Sequence, residues 1–121
     1  LLDKPITIYG DGKQVRDVLY VKDLVRAFDL FLESSLRQEV FNIGGGVENT
    51  LSLLELLDLL EKFTGKRTEI KYDNWRPSDQ KVYISNIAKI KEKLGWKPSV
   101  DPEEGVRRLV EWVNENKELF R

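Results

Sequence analysis

The sequence predicts an α/β fold, and three observations carry that prediction. Short β-branched and aromatic runs alternate with longer segments whose apolar residues recur at helical spacing. Glycine-punctuated turns separate the two kinds of segment. A chain of 121 residues with 40% hydrophobic and 34% charged content can bury one small core and is not compositionally disordered. Net charge is -1, from 20 basic and 21 acidic residues, so no electrostatic argument for a nucleic-acid or membrane partner arises. Cysteine and histidine are both absent. That excludes disulfides and thiolate metal sites, and removes the commonest general base and neutral metal ligand. No apolar run approaches a membrane span and no signal peptide heads the chain, so a cytoplasmic protein is expected. Leu1-Leu2-Asp3-Lys4 reads as the end of a helix and suggests a fragment.

Taken in order, Pro5–Tyr9 reads as a short strand with Pro at its entry. Gly10-Asp11-Gly12 makes a turn, and Val15–Val21 a second strand. Asp23 is placed to cap a helix over 23–33 whose apolar residues cover most of its circumference, which predicts burial. Glu39–Ile43 reads as a strand entering Gly44-Gly45-Gly46. Ser52-Leu53-Leu54-Glu55 matches a capping box for a helix over 52–64, with Leu53, Leu56, Leu57, Leu60 and Phe63 as its stripe and Gly65 beyond its end. Thr68–Tyr72 and the brief Val82–Ile84 read as strands around the polar loop 73–81. Ser85 or Asn86 caps a helix over 86–94 that Gly95 stops. Asp101-Pro102-Glu103-Glu104 opens a last helix over 102–116, with Val106, Leu109, Val110 and Val113 facing inward.

Two arginines stand out. Arg16 and Asp17 are adjacent charges within a strand, so they point to opposite faces and at least one needs a partner, a ligand or water. Arg76 precedes Pro77 and is therefore presented on a stiffened turn. A guanidinium offers a planar fork suited to phosphate or carboxylate. Each arginine can grip a phosphate or pair with a local acid: Asp17 or Asp23 for Arg16, Asp73 or Asp79 for Arg76. The triple glycine lacks both the G-x-G-x-x-G spacing and the G-K-[ST] ending, and reads as a tight turn with close backbone packing. Asn42, at a strand's C-terminal end, lies where open α/β sheets bind ligands.

Tyr9-Gly10-Asp11-Gly12, Arg16-Asp17-Val18-Leu19-Tyr20-Val21 and Asp23-Leu24 together resemble the second half of the extended short-chain dehydrogenase/reductases, the NAD-dependent sugar-nucleotide epimerases and dehydratases. Phe41-Asn42-Ile43-Gly44-Gly45-Gly46, Arg76-Pro77-Ser78-Asp79 (with Ser where Gly is usual) and Leu94-Gly95-Trp96-Lys97-Pro98 follow in the family's order. The run 73–85 is most similar to the CDP-paratose (tyvelose) 2-epimerase branch. The resemblance implies a C-terminal fragment of a Rossmann-type enzyme, one substrate-binding unit over 1–121 without the N-terminal NAD-binding portion. It implies a nucleotide-diphosphate sugar as partner, a CDP-sugar being favoured. Arg16 and Arg76 would grip the diphosphate from two sides, Asn42 would lie near the nucleotide, and Thr7 and Tyr9 along the base. Gln14 would neighbour Arg16, and Asp79 falls where the family varies.

The resemblance also implies absences. Neither the Gly-rich NAD fingerprint nor the Ser/Thr partner of the catalytic pair is expected in this chain, so NAD belongs to the parent enzyme and none is expected to bind here. Tyr20 and Tyr83 are followed four residues on by Leu24 and Ile87, so neither supplies the family's Tyr-x-x-x-Lys pair, and no catalytic residue is expected. The rival reading is a free-standing α/β binding or interaction module. A truncated sheet leaves an open edge, which predicts self-association or a homodimer.

Overall fold

A computed structural model describes residues 4–120, so the helix end expected at residues 1–4 falls almost wholly outside the described residues. The strands are β1 (Ile6–Tyr9), β2 (Val15–Asp17), β3 (Thr50–Ser52), β4 (Ile70–Asp73) and β5 (Val82–Tyr83). The helices are α1 (Val21–Glu33), α2 (Leu53–Thr64), α3 (Ala88–Leu94) and α4 (Pro102–Glu115), and a 3₁₀ turn follows at Lys117–Phe120. β1 pairs with β4 in parallel, Ile6 opposite Ile70. β2 is the middle of a second sheet, antiparallel to β3 and parallel to β5.

Most helix signals act as read, but α3 starts at Ala88 rather than 86: Ile87 holds its N-cap position without a side-chain cap bond, and Asn86 only accepts from the Ala88 amide at 3.0 Å from one residue further out. The Ser52 side chain accepts from the Glu55 amide while Glu55 accepts from the Ser52 amide, a complete capping box. Gly65 and Gly95 close α2 and α3 in the left-handed conformation. Asp101 caps α4 through the Glu104 amide, with Pro102 in its first turn.

The strands depart further from expectation. β2 ends at Asp17 rather than Val21, and the chain enters α1 at Val21, three residues earlier than an Asp23 cap would allow. β3 was invisible in sequence: Thr50-Leu51-Ser52 is too short for its alternation to mark a strand, and it is defined by its pairing with β2. Glu39–Ile43 forms no ladder among the described residues, and Val40 is 80% exposed. A strand needs a neighbour to exchange hydrogen bonds with, and residue type alone cannot supply one.

Asp23 is not a cap. Tyr20 occupies the N-cap position and makes no side-chain cap bond. The Asp23 carboxylate is 2% exposed and ties α1 to the segment after α3. It accepts from the Ser99 amide (2.9 Å), the Ser99 hydroxyl (2.6 Å), the Val100 amide (3.0 Å) and the Arg26 guanidinium (2.8 Å). Burial raises its pKa, but the bonds from Ser99, Arg26 and Val100 outweigh that and hold it down to about 2. The Asp23 carbonyl accepts from the indole of Trp96, which is fully buried against Ala27 and Ile90. This cluster is the centre of the core around α1 and α3, and Ile8, Val106 and Val110 are also buried. The opposite face of α1 is open, contrary to the burial expected for that helix: Val21, Val25, Phe28 and Leu32, one stripe at helical spacing, are 49–78% exposed. Leu109 of α4 likewise faces out, whereas Val106 and Val110 are buried.

Candidate functional site

The site is assembled by one turn. The Asp79 amide donates to the Arg76 carbonyl at 3.2 Å, with Pro77 second and Ser78 third at φ 65°. Positive φ at the third position of a Pro-initiated turn is the type II arrangement, which normally takes glycine there. The turn places Arg76 and Asp79 at its two ends, and each reaches a different sheet.

Arg76 lies over the Tyr9 ring at the end of β1, its guanidinium carbon 3.8 Å from the ring centroid. A cation–π contact places no acid on the guanidinium, whose N–H donors stay available to an anionic partner. Asp79 Oδ1 accepts from Arg16 Nη2 at 3.0 Å, and Arg16 Nη1 donates to the Val15 carbonyl at 2.9 Å. The acid facing Arg16 is therefore Asp79, not Asp17 or Asp23, and Arg76 pairs with an aromatic ring rather than Asp73 or Asp79. Asp17 is otherwise engaged, accepting from the Gly46 amide at 3.0 Å.

Behind the turn, Trp75 packs on the backbone of Gly10. A Cβ at Gly10 would lie 2.5 Å from the indole, and Gly10 has φ 94°, so both space and conformation require glycine there. Gln14 is 95% buried, since only 5% of its surface remains exposed. Its amide nitrogen donates to the Tyr9 carbonyl, which fixes the end of β1 beside β2, while its Oε1 has no partner among the described residues. The structure thus brings Tyr9, Gln14, Arg16, Arg76 and Asp79 together. Thr7 and Asn42 stand apart. Thr7 is on the exposed side of β1, and Asn42 donates only a long 3.5 Å bond to the Asn86 carbonyl. The sequence reading passed over Trp75 as a site element, although its place beside Arg76-Pro77 and opposite a Gly-x-Gly turn was the available signal.

The triple glycine is a packing device. A Cβ at Gly44 would lie 2.4 Å from both the Asp17 carboxylate and the Ser85 hydroxyl, and one at Gly45 would lie 2.1 Å from the Val18 carbonyl. The loop is filled by its own neighbours and offers no cradle for a dinucleotide pyrophosphate. The N-terminus of the next helix is taken by its own acidic capping box. This loop and the helix after it therefore do not form a dinucleotide pyrophosphate site. The Tyr-x-x-x-Lys spacing does occur, at Tyr9 and Lys13, which the reading of Tyr20 and Tyr83 missed. It straddles the Gly10–Gly12 turn rather than one helical turn, with the Tyr9 ring under Arg76 and the Lys13 amide bonded to Asp11. Among the described residues no acidic cluster could hold a metal ion, and no helix is long and apolar enough to cross a membrane.

One turn, Arg76 to Asp79, thus links an arginine against the Tyr9 ring of one sheet to an arginine on β2 of the other, within an α/β fold. The family profile described as GDP-mannose 4,6 dehydratase matches residues 2–109, and the chain belongs to that family of extended short-chain dehydrogenases/reductases. It is 40% identical over 119 residues to the UDP-glucuronate 4-epimerase of Thermodesulfobacterium geofontis, covering 98% of this chain and 36% of that protein. It is 40% identical over 117 residues to the CDP-paratose 2-epimerase of Salmonella typhi, covering 93% and 34%. Among solved structures, UDP-glucose 4-epimerase of Thermotoga maritima with UDP-glucose superposes with a TM-score of 0.84 at 40% identity, over 94% of this chain and 36% of that one. UDP-glucuronic acid 4-epimerase of Bacillus cereus, in complex with UDP-glucuronic acid and NAD, gives 0.85 at 32% identity, over 94% and 36%. The chain therefore spans about a third of the length of the relatives it matches. CDP-paratose 2-epimerase is one of several similar branches rather than a single nearest one.

Proposed function

We propose that this chain is the substrate-binding C-terminal part of a cytoplasmic, NAD-dependent nucleotide-sugar epimerase or dehydratase. Arg16 and Arg76 take the diphosphate of the nucleotide sugar. The observation that carries the reading is their joint presentation: Arg16 on β2 and Arg76 on a Pro-stiffened turn, both held before a ligand arrives. Preorganisation of that kind spares the ordering entropy that binding otherwise costs. Tyr9, beneath Arg76, and Trp75, the residue before it, place two aromatic side chains next to the turn on the side where the base is expected. Hydride chemistry and its proton relay belong to residues outside this chain, and NAD is expected to bind there. A CDP-sugar is the favoured substrate, on the likeness of 73–85 to the CDP-paratose branch, although the two solved relatives named above carry UDP-sugars.

The test uses the product of the whole reading frame, with CDP-glucose, UDP-glucose and UDP-glucuronate compared by calorimetry for wild type, Arg16→Ala and Arg76→Ala. The clamp requires each variant to bind the preferred nucleotide sugar about ten- to a hundredfold more weakly, from roughly 1.5–3 kcal/mol per charge-assisted contact, with little change in melting temperature. Unchanged affinity in both variants with a lowered melting temperature leaves Arg16 as an ion partner of Asp79 and Arg76 as a packing partner of Tyr9, and favours a plain α/β interaction module.

A further inference from the structure

We infer that Asp79 is a positioning residue for the diphosphate: it fixes the Arg16 guanidinium and couples it to the turn that carries Arg76, so that the two cations act as one unit. The inference rests on the reading of Arg16 and Arg76 as diphosphate contacts. Arg16 sits on a strand of three residues and its side chain is 36% exposed, so its long stem has room to swing. Two bonds prevent this: Nη1 to the Val15 carbonyl and Nη2 to Asp79 Oδ1. Asp79 is itself held by the backbone bond from its amide to the Arg76 carbonyl, which no change of its side chain removes. One carboxylate therefore fixes the spacing between an arginine of one sheet and an arginine stacked on the other.

The opposite possibility is that Asp79 competes with the ligand for Arg16. The bonding argues against it. Asp79 engages one nitrogen through one oxygen, not the bidentate fork that a competing anion would take, and leaves the other guanidinium donors for phosphate oxygens. Nor is a general structural role sufficient. The ion pair is partly exposed, where such pairs contribute little to stability.

The experiment titrates UDP and CDP into the whole reading-frame product as wild type, Asp79→Asn, Asp79→Glu, Arg16→Ala and the Arg16→Ala/Asp79→Asn double variant, with melting temperatures alongside. Asp79→Asn is expected to weaken nucleoside diphosphate binding about three- to fivefold at nearly unchanged melting temperature, in line with a partly exposed pair and about 1.4 kcal/mol per tenfold. Asp79→Glu is expected to recover part of the loss. In the Arg16→Ala background the Asp79→Asn change is expected to cost nothing further, because the two residues act through each other. Tighter binding in Asp79→Asn overturns the inference in favour of a competing carboxylate. A loss that persists without Arg16, or that follows the melting temperature, overturns it in favour of a fold role. If Arg16→Ala alone leaves affinity unchanged, the underlying diphosphate reading fails instead.

Discussion

Asp23 shows how much one side chain can hold. Four donors converge on a carboxylate with almost no solvent contact, and they join α1 to the segment that follows α3. Asn at this position presents an amide to donors that need an acceptor, so Asp23→Asn is expected to lower stability by about 3 kcal/mol at neutral pH. The pH dependence has a definite sign. The folded-state pKa of about 2 lies below the ordinary 3.8, so the stabilisation is complete above that ordinary value and is lost as pH falls towards 2. The stability gap between wild type and Asp23→Asn, followed by chemical denaturation, should be constant from pH 7 to 5 and close between pH 4 and 2. A gap that stays constant to pH 2 would mean that the carboxylate charge is not what the donors stabilise. Ser78 makes the converse case. Its φ of 65° is a conformation that costs an L-residue about 1–2 kcal/mol, while glycine there carries a larger unfolded-state entropy of about 0.4–1 kcal/mol. Ser78→Gly should therefore stabilise slightly, by about 0.5 kcal/mol, without altering nucleotide affinity. A lower melting temperature would show that the Ser side chain makes a contribution beyond the turn.

At the scale of elements, legibility followed the range of the interactions. The helices were readable because caps, dipole charges and stop glycines act within four or five residues, and Ser52-Glu55 and Asp101-Pro102 behave accordingly. Asp23 looked like a cap for the same local reason, and three of its four donors lie 76 or 77 residues away, where no local pattern points. Glu39–Ile43 has strand composition without a ladder, and β3 has a ladder without strand composition, because pairing is a property of neighbours. At the site, Arg16 and Arg76 were legible as chemistry. Their linkage through Asp79 was not, since it depends on how the loop 74–81 folds across two sheets. The triple-glycine loop was legible as packing, and the structure supplies the reason. Gly45→Ala would bring a Cβ to 2.1 Å from the Val18 carbonyl, a backbone atom with little freedom to move. The expected cost is about 3 kcal/mol, read as a drop in the denaturation midpoint. A fully stable alanine variant would show that the loop has slack.

For the whole molecule, the open stripe of α1 is the feature to explain. Val21, Val25, Phe28 and Leu32 lie exposed on one helix face, and the unpaired 39–43 segment carries an exposed Val40. Apolar surface of that kind is normally covered. The 121-residue chain on its own is therefore expected to self-associate, with sedimentation velocity showing mass rising with concentration. A monodisperse monomer at high concentration would contradict this. The chain on its own is likewise expected neither to bind NAD nor to turn over a nucleotide sugar, because its glycine loop is filled and its one Tyr-x-x-x-Lys spacing crosses a turn.

The central claim, that Arg16 and Arg76 grip one diphosphate together, is tested most directly by ³¹P resonance. The α- and β-phosphorus signals of a bound nucleotide sugar would be followed in the whole reading-frame product, in wild type, Arg16→Ala and Arg76→Ala. The clamp predicts that both signals shift on binding to wild type, and that each variant loses much of the shift at saturating ligand. Phosphorus shifts that are identical in all three proteins, with nucleotide still bound, would place the diphosphate elsewhere and contradict the account.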